Sequence, residues 1–426
     1  MPHTRMPHTR QFIRWAVACS LIVAVSTAHA EGEAAQTTDP VKVSGNVRLY
    51  SFSRNYVNST TADLHSTSLG GKVKVETTAQ EGFGAAAALY FAQDIGLNNH
   101  EQNGKTINPL LMGTGYGIYV PGEAYVQYRK SGFLGRVGNQ IIDTPWINPS
   151  DGFMIPNLYR GGVLSWSPFE GLHVEGDRIL SFKNRTSVGF DDNTLFALPY
   201  DNPHFTGTTP GAAALGMNYR GDGPSAKAWL YRFYDYAQMA YVQGGYRLSR
   251  SALSPFADFQ VMRESGDGAQ LLGPVDAKAY GAKLGVALPD QAGDVYFAYN
   301  KVPTQLTAGV SNGNLLSPYT QVYNTDPLYT TVMNYGLVSA RGAGHAWQAG
   351  TGLKLLDDRL DLSVTYSRYM TEPYVADANA FMLDVAWHMQ GAFKGLTLRN
   401  RLGYEHGLAA WGGHYLDNRI MLQYAF

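Results

Sequence analysis

The chain has 426 residues, 16% of them charged, with 33 lysines and arginines against 34 aspartates and glutamates and a formal net charge of −1. That balance is not a nucleic-acid binder's, and the one cysteine, Cys19, allows neither a disulfide framework nor a cysteine-ligated metal. A mean hydropathy of −0.21 is too polar for a bundle of membrane helices, but it fits a barrel wall in which half of each strand faces water.

Arg5, Arg10 and Arg14 open the chain with no acidic residue among them, an apolar run follows from Trp15 to Val25, and Ala28-His29-Ala30 has the small-x-small pattern of a signal-peptidase site. Residues 1–30 read as a signal peptide and 31–426 as the mature domain; the apolar run is too short to be a membrane helix. Cys19 falls inside that signal, and because MPHTR occurs twice, Met6 is a second candidate initiator. Removing three arginines and no acids leaves 30 basic against 34 acidic residues, a mature charge of about −4.

Beyond residue 40 the hydropathy alternates with period two in short segments, the signature of strands with one buried and one wetted face. They fall at about 42–55, 68–79, 82–92, 121–130, 133–141, 159–167, 171–181, 212–220, 225–235, 237–249, 252–263, 277–288, 292–301, 344–356, 358–370, 379–390, 395–406 and 415–426. That gives about 18 strands, an even number, as a closed antiparallel barrel needs. Very short connections such as Ser131-Gly132 and Asp357-Asp358 alternate with mostly long ones at 93–120, 142–158, 182–211, 264–276 and 302–343. Short periplasmic turns and long external loops make that pattern in outer-membrane barrels. The 28 tyrosines suit interfacial aromatic girdles and the 47 glycines suit tight turns.

The faces sort by polarity. In 395–406, Leu396, Leu398, Leu402 and Tyr404 oppose Thr397, Arg399, Arg401 and Glu405; in 415–426, Leu416, Ile420, Leu422, Tyr424 and Phe426 oppose Asp417, Arg419, Met421 and Gln423. The predicted fold class is therefore all-β, a transmembrane antiparallel barrel whose last strand, ending on Phe426, closes on the first. A lumen of that width needs inward-folded loops to narrow it.

Parity places Arg399, Arg401 and Arg419 inward on the last two strands, and Arg48 and Arg54 inward on the first. Residues two apart on a strand lie about 7 Å apart on one face, so neighbouring strands build a vertical column of guanidinium groups suited to handing on a carboxylate. Lys72, Lys74 and Lys354 are candidates to extend it. The alternative is that these bases pair with Asp417, Glu405, Asp384 and Glu76 and only brace the wall. Two loops are candidates for the constriction: 142–158 (IDTPWINPSDGFMIPNL) and 302–343, where Tyr319, Tyr323, Asp326 and Tyr329 would line an eyelet, Asp326 as acidic counterpart to the arginines.

The segments GNVRLYSFSRNY, LGGKVKVETTAQEGFGAAAALYFAQDIGLN, GNQIIDTPWINPSDGFMIPNLYRGG, TDPLYTT and GAGHAW together resemble the OprD-type porins, the outer membrane carboxylate channels, over essentially the whole mature chain. The resemblance implies an 18-stranded, largely monomeric barrel with its third and seventh loops turned inward. It also implies a basic ladder, matched by Arg48, Arg399, Arg401 and Arg419, and passive uptake of amino acids or of aromatic or other organic acids. One departure stands out: where that family's third loop often has an arginine after its Asp-x pair, Asp151-Gly152 is followed here by Phe153.

The function expected is a substrate-selective outer-membrane porin, with small-molecule solutes and outer-membrane lipid as its partners. No cofactor, metal or nucleic acid is expected. Two alternatives remain: a barrel enzyme using His345, His388 or His406, against which no H-E-x-x-H motif is present, and an adhesin acting through its long loops.

Overall fold

The structure, a computed structural model, describes residues 40–57, 60–77, 81–100, 106–192, 208–248, 253–271, 273–305, 315–333, 335–339, 343–372, 378–408 and 413–426. Residues 1–30, including Cys19, lie outside the described residues. Eighteen strands follow in order: β1 (Val41–Val57), β2 (Leu64–Thr77), β3 (Gly82–Asp94), β4 (Gly117–Lys130), β5 (Phe133–Gln140), β6 (Leu158–Trp166), β7 (Leu172–Lys183), β8 (Ala212–Arg220) and β9 (Pro224–Phe233). The second half comprises β10 (Ala237–Arg247), β11 (Ser254–Gly266), β12 (Asp276–Ala287), β13 (Gly293–Val302), β14 (Ala343–Leu355), β15 (Leu360–Glu372), β16 (Ala378–His388), β17 (Leu396–Leu408) and β18 (Gly413–Ala425).

Each strand pairs antiparallel with its sequence neighbours, and β18 pairs with β1 from Asn46↔Ala425 to Val57↔His414, so the sheet closes without an edge. Closure is what a bilayer demands, because an unpaired backbone edge in hydrocarbon costs several kcal/mol per group. The alternation expected from sequence is physical: Leu230 is 59% exposed between Trp229 at 2% and Tyr231 at 3%. Phe83, Val126, Val242, Val261, Phe297 and Trp387 share the outward apolar face.

β2 begins at Leu64 and β4 at Gly117, earlier than their hydrophobic alternation suggests. Their first residues are held by pairing beyond the apolar band, as His65 with Ser53 and Gly117 with Gln93. The connections between β9 and β10 and between β17 and β18 are only a few residues long, so the long loops concentrate at 95–116, 141–157, 184–211 and 303–342.

The packed core lies inside the barrel. Ile142, Trp146 and Ile147 from the loop after β5 join Leu315, Tyr319, Tyr323, Leu328 and Leu337 from the loop after β13 against wall residues of β6–β16. A second cluster seats Phe153, Met154, Ile155 and Leu158 against Tyr50, Phe52 and Tyr90. Gly70 makes that seat possible, since a Cβ there would come within 2.7 Å of Met154 Cε and 2.2 Å of the Phe91 carbonyl oxygen.

Candidate functional site

Where the loop 141–157 crosses the lumen it meets the inward face of β17, β18 and β1. Register places Arg401 beside Arg419 and Arg399 beside Met421, and Arg419 beside Phe52 and Gln423 beside Arg48. The column is thus a consequence of strand pairing: side chains two apart on three adjacent strands must share one face.

Each guanidinium has a carboxylate. Arg48 forks onto Asp151 (Nη1–Oδ1 2.8 Å, Nη2–Oδ2 3.3 Å) and also donates to the Phe153 carbonyl at 2.5 Å and to Gln423 Oε1 at 2.5 Å. Arg54 binds Asp417 through Nε at 2.7 Å and Nη2 at 2.9 Å, and Arg419 Nη2 reaches the same carboxylate at 2.9 Å. Arg399 forks onto Asp384 at 2.8 and 2.5 Å, and Arg401 Nε donates to Asp384 Oδ2 at 3.0 Å. Bidentate guanidinium–carboxylate geometry is the strong form of this contact. Five cations therefore share three carboxylates. Arg48 and Arg419 are buried, whereas the side chains of Arg399 and Arg401 stay 36% and 21% exposed.

These last two border a cavity of about 600 Å³ that runs from Asp151 and Gly152 on the inward loop down to Gln291, Lys354, Asp361 and His388 at the short-turn end. At that end His388 Nε2 and Asp361 Oδ2 are 2.9 Å apart and His388 Nδ1 and Thr397 Oγ1 3.1 Å, a polar chain across β15, β16 and β17.

A family model described as outer membrane porin, OprD family, matches residues 45–320, well over half of the chain. The chain belongs to the OprD family. This OprD-family porin is therefore a protein of the bacterial outer membrane. Its fold is similar to those of three solved channels. OpdK of Pseudomonas aeruginosa, solved with vanillate, shares 15% identity over 91% of this chain and 98% of that one, with a TM-score of 0.71. A BenF-like porin from Pseudomonas fluorescens Pf-5 shares 16% identity over 91% and 99%, with a TM-score of 0.74. OccK2 (OpdF) of Pseudomonas aeruginosa, in complex with glucuronate, shares 16% identity over 91% and 98%, with a TM-score of 0.70. No curated protein matches the chain.

Of the six residues singled out from sequence, the porin brings Arg48, Arg399, Arg401 and Arg419 to one cavity and places the other two elsewhere. Tyr323 is buried, its ring 3.9 Å from the Arg185 guanidinium carbon. Asp326, expected to face the arginines, is buried in the loop after β13, where its Oδ1 accepts from the Leu328 amide (3.2 Å) and the Thr331 hydroxyl (2.7 Å). Burial raises its carboxyl to about 6, opposed by those two hydrogen bonds. The acid that faces the column from a loop is Asp151. Of the lysine candidates, Lys354 lines the cavity, while Lys74 is engaged by Glu76 and Glu123, each at 3.3 Å.

Sequence reasoning missed Arg185. It lies just past β7, with its guanidinium carbon 4.2 Å from the Phe153 ring centroid and 3.9 Å from that of Tyr323, and Nη2 donates to Ser150 Oγ. It ties the loop 141–157 to the loop after β13. The Phe153 ring also receives Arg419 at 4.9 Å. A lone arginine outside any alternating segment carries no local signal of such a role.

Proposed function

We propose that this porin passes small carboxylate-bearing solutes, amino acids or aromatic and other organic acids, inward along the arginine face of β17, β18 and β1. The observation that carries the reading is that Arg399 and Arg401 share the single carboxylate of Asp384 and remain open to the cavity. Two guanidiniums on one carboxylate leave a positive remainder, and in a narrow low-dielectric lumen such a charge concentrates anions. The vanillate and glucuronate bound by structurally similar channels agree with it. Passage is passive and involves no covalent step; in this reading the Asp361–His388–Thr397 chain braces the mouth. The barrel acts as a monomer, and residues 1–30 are its export signal.

Planar-bilayer recording of Arg399→Gln/Arg401→Gln tests the reading. The variant should still conduct but lose most of its anion-over-cation preference and its block by added benzoate. Unchanged selectivity and block would reduce these arginines to wall braces.

A further inference from the structure

On the opposite side of the barrel, nine strands from the closing seam, a second cavity of about 780 Å³ opens at the same short-turn end. Arg220, Lys227 and Arg247 line it, from three successive strands, and Lys283 of β12, outside the lining, lies 5.8 Å from the ring of Phe256, which is part of it. Gln291, on the turn between β12 and β13, borders both cavities, so they are two walls of one periplasmic vestibule.

The two walls treat their cations differently. Every arginine of the first column holds a carboxylate. On the second wall neither Arg220, Lys227, Arg247 nor Lys283 makes an ion pair within 4.0 Å among the described residues. The reason is local. Asp258 is the cross-strand partner of both Gly245 and Lys283. Gly245 has no side chain, and the Asp258 carboxylate occupies that space: a Cβ on Gly245 would lie 1.9 Å from Asp258 Oδ1 and 2.9 Å from Ser225 Oγ. The acid thus leans toward β9 and away from Lys283, whose amine rests 3.8 Å from the Tyr296 ring centroid and 5.8 Å from that of Phe256. Arg247, the cross-strand partner of Phe256 on β10, approaches the same ring at 5.2 Å. Ring faces hold a cation without supplying a carboxylate oxygen, so the approach of a mobile anion to these groups is left open. Only Asp222 and Asp258 line this cavity as acids.

We infer that Lys227, Arg247 and Lys283 form a second carboxylate-binding subsite, an exit station on the wall facing the arginine column at the periplasmic mouth. A solute leaving Arg399 would find cations across the vestibule that have no intramolecular carboxylate to displace. The site therefore draws the anion off the column by offering cations that, although near Asp258, hold no carboxylate in an ion pair among the described residues.

This inference rests on the carboxylate reading above, and recording from oriented single channels separates the two. Benzoate, added to the periplasmic chamber alone, should interrupt the wild-type current. In Lys227→Gln/Arg247→Gln/Lys283→Gln those interruptions should shorten about tenfold, while Lys227→Arg/Lys283→Arg keeps them and Arg399→Gln/Arg401→Gln loses chiefly the block from the external side. Unchanged periplasmic dwell times in the triple variant would overturn the subsite and leave the column standing. Absence of benzoate block from both sides in the wild type would overturn both. If the triple variant does not fold, Lys227→Gln alone, at an exposed residue, should shorten the dwell about threefold, and no shortening sinks the proposal.

Discussion

Buried charge in this lumen is settled one side chain at a time. Asp384 and Asp417 each hold two guanidiniums, whereas Asp326 is buried with no cationic partner among the described residues, its Oδ1 accepting from a hydroxyl and an amide. A carboxyl of that kind binds its proton more tightly folded than unfolded, its value moving from 3.8 to about 6. The folded loop is therefore favoured below about pH 4 and loses that advantage as pH rises to about 6, by on the order of 3 kcal/mol. Hydrogen exchange over residues 315–333 should show faster opening at pH 7 than at pH 4.5. Asp326→Asn, which keeps the accepting oxygen, should flatten that dependence; an equally steep profile in the variant would assign it to another group. Phe153 shows a different economy, its ring taking Arg185 at 4.2 Å on behalf of the loops and Arg419 at 4.9 Å on behalf of the wall.

Strands and loops follow separate rules here. A strand must keep one face for lipid, which makes its position and parity readable from alternation alone. In the middle of β10, Val242 is 54% exposed beside its cross-strand partner Val261 at 51%. Val242→Arg should cost about 2–4 kcal/mol, measured by urea unfolding in liposomes, whereas Gln243→Arg on the inward face should cost far less. Equal costs would mean that this face is not lipid-facing. The loops obey no period. Their apolar content (Trp146, Ile147, Phe153, Met154 and Ile155) shows that they are packed, and the inward position of 142–158 is expected on that ground. What the alternation does not convey is which wall they pack against. That depends on gaps such as Gly70 on β2, far away in sequence.

Closure of the ring depends on pairing the two strands most distant in the chain. Arg54 and Asp417 are direct register partners across that seam, with the Asp417 side chain fully buried and Arg419 on the same carboxylate. Removing one member of a buried ion pair strands the others, typically at about 3–5 kcal/mol. Asp417→Ala should therefore lower the temperature at which the folded, fast-migrating band converts to the unfolded one on a gel, and more so than Asp384→Ala, whose arginines stay in contact with the open lumen. An unchanged transition would place the strength of the seam in its backbone ladder alone.

The amino-acid sequence by itself determined the strands, their inward and outward faces and the column of Arg48, Arg399, Arg401 and Arg419, because a period of two and the high cost of charge in lipid are local constraints written along each strand. Only the tertiary structure decided the partners. It set Asp151 against Arg48, turned Asp326 into its own loop, brought Arg185 between two loops and leaned Asp258 over Gly245. Those contacts join residues tens to hundreds of positions apart, whose approach is fixed by how the loops fill the lumen rather than by any pattern in the chain.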